Sequence, residues 1–228
     1  MKNHVPLFVS LVLALILSLT ACSGGVSRIT NNAGAVPESL QTIEEGAEDI
    51  IDYVPSGNWD KVNTDVQAMT DAWQAYQAAV GDVEVSQQLA DAMTSALGQL
   101  QMASQAKDAA TTLQASNDVS AAVMDLFALY DPQIPADIGR LDVLERQVIL
   151  DVAAQDYEAA VATFDTMSTL WEKVKPTVME HNGEDVIAQF EASLATQKSA
   201  LEAQDAAALT NEAKIALELV DALEDVFR

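Results

Sequence analysis

The sequence predicts an all-α fold of about eight antiparallel helices, arranged in two repeated four-helix units. Alanine, glutamine, glutamate, aspartate and leucine dominate after the first segment, and aromatic residues make up only 5% of the chain, a composition that favours helix. Apolar residues recur at helical spacing, as at Trp59, Val62, Val66, Met69 and Trp73. The pattern repeats after 98 residues, since Trp73 and Trp171 hold equivalent places.

The first 21 residues have the pattern of a secretion signal. Residues 5–19 form an apolar run of about 15 residues, which suits a signal peptide and is shorter than the roughly 20 residues of a membrane span. The run ends in Leu19-Thr20-Ala21-Cys22, which resembles the lipobox of bacterial lipoproteins, where the cysteine thiol receives a diacylglycerol. We therefore predict residues 1–21 as a lipoprotein signal peptide and Cys22 as the lipid attachment site. The alternative is a secreted protein that is cut after Ala21 and has no lipid.

Residues 22–36 carry the predicted lipid and a small, polar, glycine-containing segment that is typical of a flexible tether. Such a tether reaches roughly 20 Å, so we expect a protein that is held outside the cell membrane by its lipid. Ser23 follows Cys22, which would allow sorting to the outer membrane if the organism has two membranes. The net charge of -24 disfavours nucleic acid and favours cations or basic partners.

Seven breaks divide the remaining chain into eight predicted helices of about 16 to 24 residues. They fall at residues 55–57, 80–82, 105–107, 131–135, 153–155, 176–183 and 202–204. Four polar residues at regular spacing are predicted to cap the helices that follow them: Asn58, Asp108, Asp156 and Asp205.

Residues 37–130 are predicted as the first four-helix unit, residues 131–136 as a hinge, and residues 137–228 as the second unit. Pro132 and Pro135 stiffen the hinge and end the preceding helix. The pattern leaves open whether the units form two bundles or one continuous helical array.

Few residues in the chain suit catalysis. His181 is the only histidine after the signal segment, the one cysteine is predicted to be acylated, and no nucleophile elbow or glycine-rich phosphate loop is present. We therefore predict a non-enzymatic protein without a cofactor. Trp73, Trp171, Met69 and Met167 are interpreted as core residues because they recur on apolar stripes.

Metal binding is the stronger chemical alternative, because carboxylate oxygens bind hard cations. Acids cluster on one predicted helix, and His181 lies three residues before Glu184 at a turn. The Glu-x-x-His pairs of di-iron bundles and the calcium loop of EF-hands are both missing. The acidic cluster is interpreted as a solvated helix face, and His181 as an exposed turn residue. The clustered acids are Glu44, Glu45, Glu48, Asp49 and Asp52.

One charged set stands out after the hinge, in an otherwise mostly apolar helix. It contains Arg140, Asp142, Glu145 and Arg146, with Asp142 and Arg146 at i and i+4. We predict that these residues form ion pairs between the two units, with a ligand-binding role as the alternative.

The segment from residue 154 to 228 resembles extracytoplasmic helical domains of uncharacterised bacterial lipoprotein families. It is also similar, more weakly, to the helical extensions of ferric iron permeases and to imelysin-type proteins. The imelysin-type resemblance would imply a metal-linked role through a His-x-x-Glu motif, whose spacing matches His181 and Glu184. The motifs that carry the resemblance are Gln155-Asp156-Tyr157, Trp171-Glu172-Lys173-Val174, Glu180-His181 and Ala203-Gln204-Asp205.

These observations together predict a membrane-anchored extracytoplasmic lipoprotein that acts as a helical scaffold or binds a protein partner. The alternative is an accessory protein for binding or uptake of a divalent or ferric cation, with the acidic surface and the His181 region gathering the metal.

Overall fold

The computed structural model describes residues 35–80 and 83–228. Over these residues the protein is all-α with eight helices, which confirms the predicted fold class. The predicted signal peptide, Cys22 and nearly all of the predicted tether lie outside the described residues. Within the described ranges, no helix has the length and apolar content that crossing a membrane requires. The helices are α1 (Glu38–Tyr53), α2 (Trp59–Ala79), α3 (Gln87–Ala106), α4 (Ala109–Phe127), α5 (Ala136–Ala153), α6 (Tyr157–Glu180), α7 (Glu184–Ala203) and α8 (Ala206–Asp225).

The four predicted N-caps are confirmed. Each side chain accepts a hydrogen bond from the backbone N–H three residues later. That N–H belongs to the first turn of the helix, whose N–H groups have no carbonyl partner within the helix. The distances are 3.4 Å at Asn58, 3.2 Å at Asp108, and 3.0 Å at both Asp156 and Asp205. These caps fix where α2, α4, α6 and α8 begin.

The predicted break at residues 176–183 is wrong in its first part. Helix α6 continues through Pro176 and ends at Glu180. Proline removes one N–H donor from a helix, which leaves the carbonyl of Glu172 without its usual partner. Both Pro176 and Glu172 are exposed, so water can bond to that carbonyl. The turn is therefore confined to residues 181–183.

Each set of four helices closes into a ring. In the first unit, α1–α4, neighbouring helices pack against one another and α1 also packs against α4. The second unit, α5–α8, repeats this arrangement, with α5 against α8. Each ring encloses its own core, with Met69 and Trp73 buried in the first and Met167 and Trp171 in the second, as the repeat predicts.

Helix α4 packs against α5 and joins the two rings, so that the described residues, 35–80 and 83–228, form a single compact unit. The connection between these helices contains the segment predicted as a hinge. Two residues of the connection make hydrogen bonds to the units. Tyr130 donates to the hydroxyl of Tyr76 at 3.0 Å, and Gln133 donates to the carbonyl of Phe227 at 2.9 Å. The connection is therefore tied to both units.

The internal repeat gives every position in one unit an equivalent in the other. The caps Asn58 and Asp156 are 98 residues apart, whereas Asp108 and Asp205 are 97 apart. Positions in α1 and α2 therefore correspond to α5 and α6 with an offset of 98, and those in α3 and α4 correspond to α7 and α8 with an offset of 97. This correspondence shows where the two units differ.

Candidate functional site

Arg140 connects α5 to the first unit. Its guanidinium lies 2.8 Å from Asp125 on α4 and 2.5 Å from Asp137 on its own helix, and it donates to the carbonyl of Met124 at 3.3 Å. Burial opposes the charge of Arg140, but hydrogen bonds to Asp125 and Asp137 raise its pKa. Lys173 on α6 also reaches Asp137, at 2.7 Å. Asp137 therefore holds α5 and α6 together, while Arg140 holds α5 against α4.

Arg146 makes the second connection between the units. Its Nη2 donates to Glu48 on α1 at 2.9 Å, and the same guanidinium pairs with Asp142 one turn earlier on α5. Glu48 and Arg146 are 98 residues apart and so hold equivalent repeat positions. The arginine side chain is only 10% exposed, and its Nη1 has no hydrogen-bond partner within the described part of the chain. Three of the four charged residues predicted after the hinge thus lie where α5 meets the first unit.

Glu44 differs from the solvated face that the acidic cluster predicts. It is half-buried, whereas the other four acids of that cluster are exposed. Burial, followed by the nearby charges of Glu48 and Glu224, raises the pKa of Glu44 to about 8, although Arg146 acts in the opposite direction. Glu44 is therefore mostly protonated at neutral pH.

Among the residues that the structure describes, Glu145 has no ion-pair partner, contrary to the prediction that it pairs between the units. It is fully buried in the second unit, where Gln197 on α7 donates a hydrogen bond to it at 3.0 Å. Burial raises the pKa of Glu145 to about 8, and the charge of Glu212 adds to this effect. The first unit has Ala47 and Leu100 at the equivalent positions. A polar pair thus replaces two apolar residues in the second core.

We call the contact of α5 with α1 and α4, made by Arg140 and Arg146, the junction. Residues from other helices also contribute to it, and the helix pattern could not predict them. Asn117 on α4 donates to the carbonyl of Val143 at 3.1 Å and to Gln147 at 3.0 Å. Gln114 and Gln147 exchange two hydrogen bonds, at 2.8 and 3.0 Å. These contacts join segments that are about 30 residues apart in the chain, and only the packing of α4 on α5 brings them together.

His181 and Glu184 lie at the turn between α6 and α7, and both are exposed. The Nδ1 of His181 lies 2.9 Å from the carbonyl of Thr177, and its ring packs against Phe227 with centroids 4.6 Å apart. Within residues 35–80 and 83–228, no three acidic, histidine or cysteine side chains are grouped so that they could hold a metal ion. Cation binding through His181 and Glu184 stays a prediction.

A groove runs between α6 and α7 on the outside of the second unit, with a volume of about 540 Å³. We call it the α6–α7 groove. Its apolar lining includes Phe164 and Trp171 from the core, and Val161, which is 44% exposed. Charged residues from both helices line it as well. The lining consists of Val161, Phe164, Asp165, Ser168, Trp171 and Glu172 from α6, and Glu191, Leu194, Ala195, Lys198, Leu201 and Glu202 from α7.

Trp171 brings an unsatisfied donor to this groove. In the first unit, the equivalent Trp73 donates from Nε1 to Thr94 on α3 at 3.0 Å. The position equivalent to Thr94 is Glu191, whose carboxylate pairs with Lys175. The Nε1 of Trp171 is buried and has no hydrogen-bond partner among the residues described. A buried donor without a partner costs free energy, so an acceptor that reached it would be bound favourably.

A second groove, of about 510 Å³, lies beside Arg146 between the units. Its aliphatic wall includes Ile51, Ile149 and Leu217. Arg146 is already neutralised there by Asp142 and Glu48, so its charge serves the junction.

Comparisons with family models, with curated proteins and with solved structures find no match for this chain. Its function is therefore inferred from its own residues.

Proposed function

We propose that this chain is a membrane-anchored extracytoplasmic lipoprotein whose helical body is a non-enzymatic scaffold that binds a protein partner. The observation that carries the proposal is the open α6–α7 groove, where Val161 is 44% exposed and the buried rings of Phe164 and Trp171 line the inner side. A partly apolar groove in an otherwise polar surface is a common feature of interaction sites. The rest of the surface is strongly charged, in keeping with the net charge of -24.

The junction between the units supports the scaffold part of the proposal. Arg140 and Arg146 tie α5 to α4 and α1, and Gln114, Asn117 and Gln147 add neutral hydrogen bonds beside them. Polar contacts that depend on geometry favour one relative orientation of the two rings. The groove would then keep a fixed orientation relative to the first unit.

The anchor is tested by replacing Cys22 with alanine. The substitution removes the thiol that would receive the diacylglycerol, so we expect the protein to leave the membrane fraction or to remain an unprocessed precursor. The measurement is fractionation of cells, combined with metabolic labelling by a fatty acid that carries an alkyne. Label that persists on the Cys22→Ala chain would contradict the proposed attachment site.

Partner binding is tested by site-specific photocrosslinking in cells. A photoreactive amino acid at Val161 lies in the groove, and one at Asn63 lies at the equivalent exposed position of the first unit. We expect a crosslinked adduct of defined mass from Val161 and little adduct from Asn63. Equal adducts from both positions, or none from Val161, would refute binding at the groove.

A further inference from the structure

Resting on the proposed function, we infer that the α6–α7 groove binds a basic amphipathic helix of its partner. The inference depends on the charges that surround the groove, and on their absence from the equivalent surface of the first unit.

The acids around the groove are specific to the second unit. On α6, Asp165 and Glu172 stand where α2 has Gln67 and Gln74. On α7, Glu202 stands where α3 has Gln105. The two surfaces share their helix pattern and their tryptophan, but they differ in charge at each of these positions.

The remaining two differences complete the charge pattern. Glu191 and Lys198 stand where the first unit has Thr94 and Gln101. The groove thus carries four carboxylates and one ammonium group, and it has acids on both of its helices. Lys175 offsets only Glu191. Basic side chains on both flanks of a bound segment would therefore meet acids.

The length of the groove fits a helix. Its lining extends from Val161 to Glu172 on α6 and from Glu191 to Glu202 on α7. At 1.5 Å per residue, each side is about 16 Å long, which corresponds to roughly three turns of a bound helix. An amphipathic helix can lay its apolar face into such a groove with residues at i, i+3, i+4 and i+7. Its basic face then reaches the acids on either side.

A lipid chain fits these observations less well. An acyl chain would cover Phe164 and Val161 but would supply no basic partner for Asp165, Glu172 or Glu202. An anionic headgroup would be repelled by Asp165 and Glu172. A basic helix satisfies the apolar lining and the charges together, and a side chain that enters between α6 and α7 can offer an acceptor to Trp171.

The test measures binding of a synthetic probe to the chain from residue 22 onward with Cys22→Ser, so that no lipid or detergent competes. The probe is a fluorescein-labelled amphipathic helix of leucine and lysine, and binding is followed by fluorescence anisotropy. The groove variant is D165Q/E172Q/E202Q, which installs the residues of the first unit. The matched control is E45Q/E218Q/D221N, which removes three exposed acids elsewhere and changes the net charge equally.

We expect the groove variant to bind the probe about tenfold more weakly, because three surface charge pairs are lost. The control variant should bind within about twofold of the parent, and added salt should weaken binding by the parent more than by the groove variant. Circular dichroism checks that both variants remain helical.

Equal weakening in the two variants would overturn the inference, because the probe would then sense only the overall acidity. Tight binding of a matched leucine and glutamate helix would also overturn it. The proposed function has a separate readout. If Val161 crosslinks to a partner while the lysine probe does not bind, partner binding stands and the basic helix is refuted.

Discussion

Replacing Glu145 with glutamine is expected to stabilise the protein by about 3 kcal/mol at pH 7 and about 4 kcal/mol at pH 8. Glu145 is fully buried, and burial raises its pKa from 4.5 to about 8, so the folded state favours the neutral carboxyl. Glutamine keeps the shape and accepts the same hydrogen bond from Gln197, but it never ionises. Its amide also supplies a donor beside the Oε1 of Gln197, which has no partner in the described residues.

The pH dependence follows from the direction of this shift. A pKa raised in the folded state means that the unfolded chain releases the proton first, so stability falls as pH rises from about 4.5 to about 8. The advantage of Glu145→Gln should therefore disappear near pH 4, grow as pH rises, and become complete only above about pH 8. Urea unfolding at several pH values measures it, with the exposed Glu45→Gln as control. A stability difference that does not change with pH would contradict a raised pKa.

Replacing Arg146 with methionine is expected to destabilise the protein by about 2 to 3 kcal/mol. The substitution leaves Asp142, whose side chain is only 16% exposed, and Glu48 without the arginine that pairs with both. This loss is slightly smaller than the roughly 3 to 5 kcal/mol for a fully buried pair, because Glu48 is half exposed. Urea unfolding measures the change in the free energy of unfolding.

Arg228 provides the matched control for Arg146. It pairs with Glu224 and Asp225, but its side chain is 56% exposed. Arg228→Met should therefore cost less than about 1 kcal/mol. If the two substitutions cost the same, Arg146 does not stabilise the junction more than a surface arginine would.

Much of the fold follows from local signals in the sequence. Asn58 and Asp156 cap their helices as predicted, because an N-cap depends on residues only three positions apart. The repeat also places Trp73 and Trp171 in equivalent cores. Pro176 misled the prediction, because its effect depends on whether water reaches the freed carbonyl, and that follows from tertiary packing.

The candidate site was harder to predict. Arg146 was identified from the sequence, but its partner Glu48 lies 98 residues away on a different helix. Glu145 was assigned to the same ion pairs, although its position on α5 directs it into the second core. The acids of the groove could have been found by aligning the two repeats, since Gln67 in the first unit corresponds to Asp165 in the second. The differences on α7 appear only when α3 and α7 are aligned with an offset of 97, whereas the repeat predicted from the sequence has an offset of 98 throughout.

We propose that this protein binds its partner at the acidic α6–α7 groove. The most direct measurement is photocrosslinking from Val161 in cells, in the parent chain and in D165Q/E172Q/E202Q, with E45Q/E218Q/D221N alongside. If the groove binds the partner, one adduct forms in the parent and in the control, and most of that adduct is lost in the groove variant. An adduct that is equally strong in all three chains would contradict this proposal.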